Sequence, residues 1–275
     1  MIKDLYNEIY NCLKQNGITE KAECDNIFCE ALNCKRTEIF FQDKIHKKQI
    51  KEIKKIAKKR TKHIPLEKIT KRAYFYGEKF FVNKNVLSPR QDTEILVETC
   101  INNLKNEKDL NGLELCTGSG IISVTLKKQC PQMNLTAIDI SNRALKVAKK
   151  NARLHHTKIT FLKSNMFKKV KGKFDFIIAN PPYIKTNDLN CLQPEVKKHD
   201  PKIALDGKAD GLHFYRIIAK NCKNYLQKNG SVFLEIGYNQ AQEVKNLFEP
   251  IFEKVDIVND LNGNNRVIVA KNIKM

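Results

Sequence analysis

No stretch of this 275-residue chain is long and apolar enough to cross a bilayer. The longest uncharged run near its middle, Leu115–Leu126, is broken by polar residues. The opening Met1-Ile2-Lys3-Asp4-Leu5 lacks the basic-then-apolar layout of a secretory leader, so a soluble cytoplasmic chain without membrane contact is expected. Its nine cysteines are an odd number in no framework spacing and form no C-x-x-C pair. That excludes a disulfide scaffold or a zinc ribbon and leaves reduced, buried thiols. The six histidines make no H-E-x-x-H or other ligand pattern, so no metal is expected. Acidic residues are also scarce, 30 against 50 basic, for a net charge of +20. Such a balance favours an anionic partner such as RNA, the ribosome or an acidic protein. It is also what a lysine-rich composition produces by itself, because lysine supplies 42 of the 50 basic residues.

What is present is enough apolar material, 41% of the chain, to bury a sizeable core. The length suits one large domain and a smaller one. Residues 1–64 read as helical: Leu5, Ile9 and Leu13 repeat at helical spacing up to Gly17, and Ile27, Phe28, Ala31 and Leu32 form a second stripe. A third helix over 47–59 sets Ile50, Ile53, Ile56 and Ala57 against a dense set of lysines. Ten basic residues lie from Lys44 to Lys62, opposed only by Asp43 beside the run and Glu52 within it. The run is either a docking face for the ribosome, RNA or another anionic partner, or a solvated helix face. Residues 65–91 are expected to form a β-hairpin linker, from aromatic and β-branched residues alternating around Gly77 and Asn83–Asn85.

From residue 92 onward the chain alternates helix and strand. Candidate strands are Gly112–Cys116, Asn134–Asp139, Lys158–Leu162, Phe174–Ala179, Ser231–Ile236, Phe252–Val258 and Arg266–Ala270. Helices at Asp92–Leu104, Ile121–Lys128, Asn142–Leu154 (N-cap Ser141), Leu212–Leu226 and Gln240–Phe248 lie among them. This α/β alternation predicts an open, mostly parallel seven-stranded sheet with helices on both faces. The short loop Asn259–Asn265 makes the last two strands an antiparallel hairpin, with one reversed strand expected at the end of the sheet.

Of only 11 glycines, Gly112, Gly118 and Gly120 fall within nine residues. The stretch Leu113-Glu114-Leu115-Cys116-Thr117-Gly118-Ser119-Gly120 follows a strand and opens a helix, where glycines let backbone approach a ligand and leave N–H groups free to hold it. Asp139 ends the next strand, placed to hold a ribose diol. The dinucleotide pattern G-x-G-x-x-G fails, because no further glycine follows Gly120 in the helix; no Gly-Lys-Ser/Thr of a P-loop occurs either. What remains is similar to the E/D-x-x-x-G-x-G loop of class I S-adenosylmethionine-dependent methyltransferases, with their Rossmann-like fold.

Asn180-Pro181-Pro182-Tyr183 follows the apolar strand Phe174–Ala179. In an open α/β sheet this loop and the glycine loop face one crevice. An amide or exocyclic amino nitrogen is a poor nucleophile because its lone pair is delocalised. The Asn180 side-chain oxygen and the Pro181 carbonyl are suited to accept its two N–H bonds. Pro182 holds Pro181 extended, and Tyr183 offers a wall for a flat amide or base. Positioning and electrostatics then carry catalysis. By itself the motif fits DNA or ribosomal RNA amino groups as well as a protein glutamine.

Three further segments narrow the choice: Ala73–Glu94 (AYFYGEKFFVNKNVLSPRQDTE), Pro201–Arg216 (PKIALDGKADGLHFYR) and Leu234–Gln240 (LEIGYNQ). Together with the order helical domain, hairpin, methyltransferase domain, they resemble the bacterial release factor glutamine methyltransferases of HemK type over nearly the whole chain. The resemblance implies N5-methylation of the glutamine in the Gly-Gly-Gln tip of peptide chain release factors 1 and 2, by a monomer that uses S-adenosylmethionine and releases S-adenosylhomocysteine. It implies cofactor binding by Glu114, Thr117, Gly118, Gly120, Asp139, Asn165 and Asn180. Substrate binding and catalysis fall to Asn180, Pro181, Pro182 and Tyr183, with Arg90 and Glu94 at the entrance as ordering residues or as a structural ion pair. A ribosomal protein glutamine methyltransferase and a nucleic-acid amino methyltransferase are the alternatives. The chain departs from the family pattern at Glu114 (more often Asp), Cys116 (first loop glycine), Asn165 (usually Asp, near the adenine), Ser88 and Gln91. On this basis the expected domains are 1–64, helical and substrate-docking; 65–91, the hairpin linker; and 92–275, the methyltransferase domain.

Overall fold

Helical spacing of apolar residues builds the first part of the chain. The computed structural model describes residues 2–42 and 44–274; Asp43, beside the basic run, lies outside them. Helices α1 (Ile2–Gln15), α2 (Lys21–Leu32), α3 (Lys47–Arg60) and α4 (Leu66–Thr70) follow one another, with a 3-10 segment at Arg36–Phe41. Leu5, Ile9 and Leu13 of α1, Ile27 and Phe28 of α2, and Ile53, Ile56 and Ala57 of α3 share one core. The opposite face of α3 exposes Lys51, Lys54, Lys55, Lys58 and Lys59. Two of these are paired, Lys54 with Glu8 at 2.7 Å and Lys55 with Glu52 at 3.0 Å. Met1–Lys71 forms a compact unit together with the later segment Gln193–His199.

The second unit comprises Arg72–Leu192 and Asp200–Met275. It begins with the hairpin β1 (Arg72–Phe75) and β2 (Glu78–Phe81). The hairpin turns through Tyr76 and Gly77, both at positive φ (53° and 73°), the two-residue turn whose twist matches that of the strands. It is shorter than the linker read from sequence and is built into this unit: Phe75 and Phe80 lie in its core. The fully buried Asn151 holds it there by pairing with both backbone groups of Phe81, at 2.8 and 2.9 Å. Its Nδ2 also donates to the Ser119 carbonyl at 2.8 Å, which joins hairpin and glycine loop.

The rest of the unit alternates as α5 (Asp92–Leu104), β3 (Asn111–Leu115), α6 (Ile121–Gln129), β4 (Asn134–Asp139), α7 (Asn142–Leu154), β5 (Thr160–Lys163), β6 (Phe174–Ala179), α8 (Pro194–His199, counted with the helical unit), α9 (His213–Tyr225), β7 (Leu226–Glu235), α10 (Ala241–Phe248), β8 (Phe252–Asn259) and β9 (Asn265–Ile273). The sheet order is β5-β4-β3-β6-β7-β9-β8, parallel except where β9 runs against both neighbours. Strand periodicity of two supplies both faces. Ile177 and Ala179 of β6 face α9 and α10, while Phe176 and Ile178 face α5 and α6. Such two-sided burial is what a parallel sheet requires.

One expectation is corrected. The reversed strand is not at the end of the sheet but one place in, between β7 and β8. The reason lies in side-chain chemistry: Val267–Ala270 of β9 are buried, so β9 takes the interior slot. β8 carries Glu253, Lys254 and Asp256 and takes the edge, where charge discourages further pairing. The thiols are also less uniformly buried than expected, since Cys12 and Cys191 are exposed; all nine are free.

Candidate active site

β3, β4, β6 and β7 are mutually parallel, so the loops after them leave the same edge of the sheet. A cavity of about 310 Å3 opens there. Of the residues singled out in the sequence, Thr117, Gly118, Asp139, Asn165, Asn180, Pro182 and Arg90 line it; Glu114, Gly120, Pro181 and Tyr183 do not. The walls also include residues that sequence reasoning did not single out, among them Ile140, Ile203, Lys208 and Phe214. For Ile203, Lys208 and Phe214 the only sequence signal was the family-like segment Pro201–Arg216.

Glu114 acts beneath the glycine loop rather than in the cavity. Its Oε2 accepts from Thr117 Oγ1 at 2.7 Å, from the Ser123 backbone N–H at 3.2 Å and from the Ser123 hydroxyl. Ser123 lies in the first turn of α6, where a negative charge is favoured. Burial nevertheless pushes the Glu114 carboxyl up to about 7, against the pull of those hydrogen bonds. Gly120 has φ +79°, and a Cβ there would come within 2.9 Å of the Ala148 Cβ, so this glycine seats α6 against α7. Cys116 takes the left-handed backbone (φ 56°) that glycine favours, a conformation costing about 1–2 kcal/mol for a residue with a Cβ. Burial and the Asp139 and Glu114 carboxylates raise its thiol, which stays protonated.

Asp139 accepts from Gly118 N–H through Oδ2 at 2.9 Å and from Ser141 N–H through Oδ1 at 2.8 Å. Burial raises its carboxyl, partly offset by these backbone bonds. Each oxygen keeps a second lone pair for a ligand hydroxyl. Asn165 is exposed at the start of the 3-10 turn Met166–Lys169, with no capping bond from its side chain.

The Asn180–Tyr183 loop is held from three distant segments. Asn180 Nδ2 donates to the buried Thr93 Oγ1 at 3.1 Å. Gln240 Nε2 donates to the Tyr183 carbonyl at 3.0 Å, while Gln240 Oε1 accepts from Gly237 N–H at 3.1 Å. Gly211 lies so close that a Cβ would fall 2.3 Å from the Tyr183 oxygen, and its φ is +78°. This clamp turns the Tyr183 ring away from the cavity wall and onto the sheet core. Burial and Glu235 raise its hydroxyl pKa. Phe214 is an aromatic residue of the cavity wall. The Pro181 carbonyl accepts no hydrogen bond among the described residues.

Arg90 pairs with the buried Asp200 at 3.0 Å, and Asp200 also accepts from Ser88 N–H at 3.2 Å. Glu94 is not its partner, accepting instead from Tyr76 N–H at 2.8 Å. Glu195 pairs with Arg60 at 3.2 Å and with His63 at 2.9 Å, all within the helical unit. Among the described residues no group of three or more His, Cys, Asp or Glu is placed to hold a metal ion.

Comparison with known proteins agrees with this geometry. The Methyltransferase small domain family profile matches residues 83–196. A methyltransferase from Pyrococcus furiosus of known structure is 16% identical and superposes with a TM-score of 0.52 over 75% of this chain and 93% of its own, a likeness of fold. The release factor glutamine methyltransferase of Thermodesulfovibrio yellowstonii is 38% identical, covering 92% of both chains. That of Bacillus cereus is 35% identical over 94% of this chain and 95% of its own. With likeness at that level running nearly end to end through both units, the chain belongs to the release factor glutamine methyltransferase family.

Proposed function

We propose that this chain methylates the N5 side-chain amide of the glutamine in the Gly-Gly-Gln motif of peptide chain release factors 1 and 2, using S-adenosylmethionine and releasing S-adenosylhomocysteine. The observation that carries this is the meeting of Gly118, Asp139 and Asn180 in one cavity, in a chain whose relatives bear that activity in their names. The ribosomal-protein and nucleic-acid alternatives are not favoured by those relatives.

The donor set fits the cofactor. Asp139 offers free lone pairs for a ribose diol, Ile140 an apolar surface and Asn165 an exposed amide for an adenine edge. When bound, S-adenosylmethionine supplies an electrophilic methyl on a sulfonium. The chain's own task is orientation. Asn180 Oδ1 and the unengaged Pro181 carbonyl accept the two N–H groups of the glutamine amide, which aims its nitrogen lone pair. Pro182 and Phe214 exclude water from that amide. The proton lost after transfer is acidic and leaves to solvent, so no general base is required. The helical unit docks the release factor, and the exposed lysines of α3 meet an anionic partner such as ribosomal RNA. The chain acts as a monomer. Among the described residues no helix is long and apolar enough to cross a membrane.

The test is transfer of labelled methyl from S-adenosylmethionine to a purified release factor, to its Gly-Gly-Ala variant and to ribosomal RNA. Label only on the intact release factor is expected; label on RNA overturns the glutamine assignment. Neutralising Lys51, Lys54, Lys55 and Lys58 together should raise KM and flatten its salt dependence. Unchanged values would make that face merely solvated.

A further inference from the structure

Past Tyr183 the acceptor loop leaves the sheet by pairing with a distant segment. Ile184 N–H donates to the Leu205 carbonyl at 3.0 Å, Gly207 N–H to the Ile184 carbonyl at 2.7 Å, and Thr186 N–H to the Lys208 carbonyl at 2.9 Å. The peptide unit between Tyr183 and Ile184 is thus taken at both ends, its N–H by Leu205 and its carbonyl by Gln240 Nε2 at 3.0 Å. Packing is as close as the bonding. A Cβ on Gly207 would come within 2.7 Å of Tyr183 Cα, and one on Gly211 within 2.6 Å of Gln240 Nε2. None of Gln240, Gly207, Gly211 and Tyr183 lines the cavity.

Two prolines separate this fixed unit from Asn180. Proline locks its own φ, and Pro182 holds Pro181 extended, so Pro181-Pro182 is a stiff two-residue link. Asn180 anchors one end of it through Thr93 Oγ1, at 3.1 Å, and the Tyr183–Ile184 peptide unit anchors the other. A rotation at Tyr183 is carried along such a link to the Pro181 carbonyl rather than absorbed by it. We propose that Gln240 is a positioning residue for methyl transfer: by holding the Tyr183 carbonyl it sets the direction of the Pro181 carbonyl, and so of the acceptor amide. The assignment rests on the proposed role of Asn180 and Pro181 as acceptors of the glutamine N–H groups.

Gln240 is itself firmly held, at 7% exposure. Gly237 N–H can only donate and the Tyr183 carbonyl can only accept. One orientation of the Gln240 amide satisfies both, with Oε1 toward Gly237 at 3.1 Å and Nε2 toward Tyr183. Its backbone N–H donates to the Gly237 carbonyl at 2.9 Å, and its own carbonyl accepts from Val244 N–H at 2.9 Å to open α10. The turn after β7 and the start of α10 therefore fix the base of this side chain, and its tip reaches an acceptor loop 57 residues away in sequence.

The experiment has two arms. Tyr183-Ile184 is the only Tyr-Ile pair in the chain, so 13C-carbonyl tyrosine combined with 15N isoleucine labels this one peptide unit for NMR. Its carbonyl signal should move upfield in Gln240→Met, which keeps the side-chain length and loses the donor. It should stay in place in Phe248→Leu, a buried core change elsewhere on α10. An unmoved signal in Gln240→Met, or the same movement in both variants, overturns the proposal. In the second arm, Gln240→Met should lower kcat by about 10- to 100-fold, with the Kd for S-adenosylmethionine within about threefold of wild type. Phe248→Leu should lower the melting temperature with kcat within about threefold of wild type. Should Gln240→Met fold poorly, Gln240→Glu carries the same expectation, because it keeps an acceptor for Gly237 N–H and sets an oxygen against the Tyr183 carbonyl. Unchanged kcat in the Gln240 variants, or a cofactor affinity that falls in step with kcat, overturns the proposal. The labelled peptide needs no acceptor. An inactive wild-type chain with a Gln240-dependent Tyr183 signal would therefore overturn the proposed substrate and support the positioning role.

Discussion

The two loops that meet in the cavity are each anchored by buried polar side chains, but the anchors work over different distances. Glu114 holds Thr117 and Ser123, three and nine residues away, and so shapes its own strand-loop-helix turn. The Asn180–Tyr183 loop is held instead by Thr93 and Gln240, which are remote from it in sequence. Burial raises the Glu114 carboxyl to about 7, and its Oε1 has no partner among the described residues. The difference is between a loop that builds itself and a loop that is clamped from outside. The first presents backbone N–H groups and Asp139 to a cofactor; the second presents one side-chain oxygen to an acceptor.

That division predicts separable losses. The largest is Asn180→Ala, which should lower kcat by on the order of 10²–10³-fold, measured as labelled methyl transfer. Next is Asp139→Ala, which should weaken S-adenosylmethionine binding by about 10- to 100-fold while leaving a correspondingly smaller loss of kcat at saturation. If Asp139→Ala instead removes kcat and spares affinity, the loops do not divide the work in this way.

The smallest effect concerns stability and follows from the sign of the Glu114 shift. A carboxyl with a folded-state value of about 7 against about 4.3 unfolded favours the protonated native protein. Its contribution is complete below about pH 4.3 and is lost as the pH rises to about 7, after which it is constant. Wild type should therefore lose stability relative to Glu114→Gln across that window, seen as a narrowing or reversing gap between their melting temperatures. Glu235 and Asp139 are present in both chains and cancel. A gap that does not change with pH would show that Glu114 is charged throughout.

The same contrast explains what could be read from the sequence. The Phe174–Ala179 strand, the Asn142–Leu154 helix with its Ser141 cap and the glycine loop are local patterns, and their periodicity and turn chemistry survive in one dimension. The slot taken by β9 was missed because strand order depends on a competition in burial between β8 and β9, not on the loop joining them. Arg90 was placed beside Glu94, a neighbour in sequence, yet its partner is Asp200, 110 residues on. Tyr183 looked like a wall because aromatic residues beside such a loop can stack on substrate. Only the approach of Gly211 and Gln240 shows that its backbone is turned the other way. Thr93, which accepts from the Asn180 amide, had no visible task, since the two lie 87 residues apart.

The most direct test of the division between loops is a calorimetric titration of S-adenosylmethionine into Asn180→Ala beside its turnover assay. The account predicts a Kd within about threefold of wild type although methyl transfer is nearly abolished. An affinity that collapses together with turnover would contradict it, and would make Asn180 part of the cofactor site rather than the group that orients the acceptor.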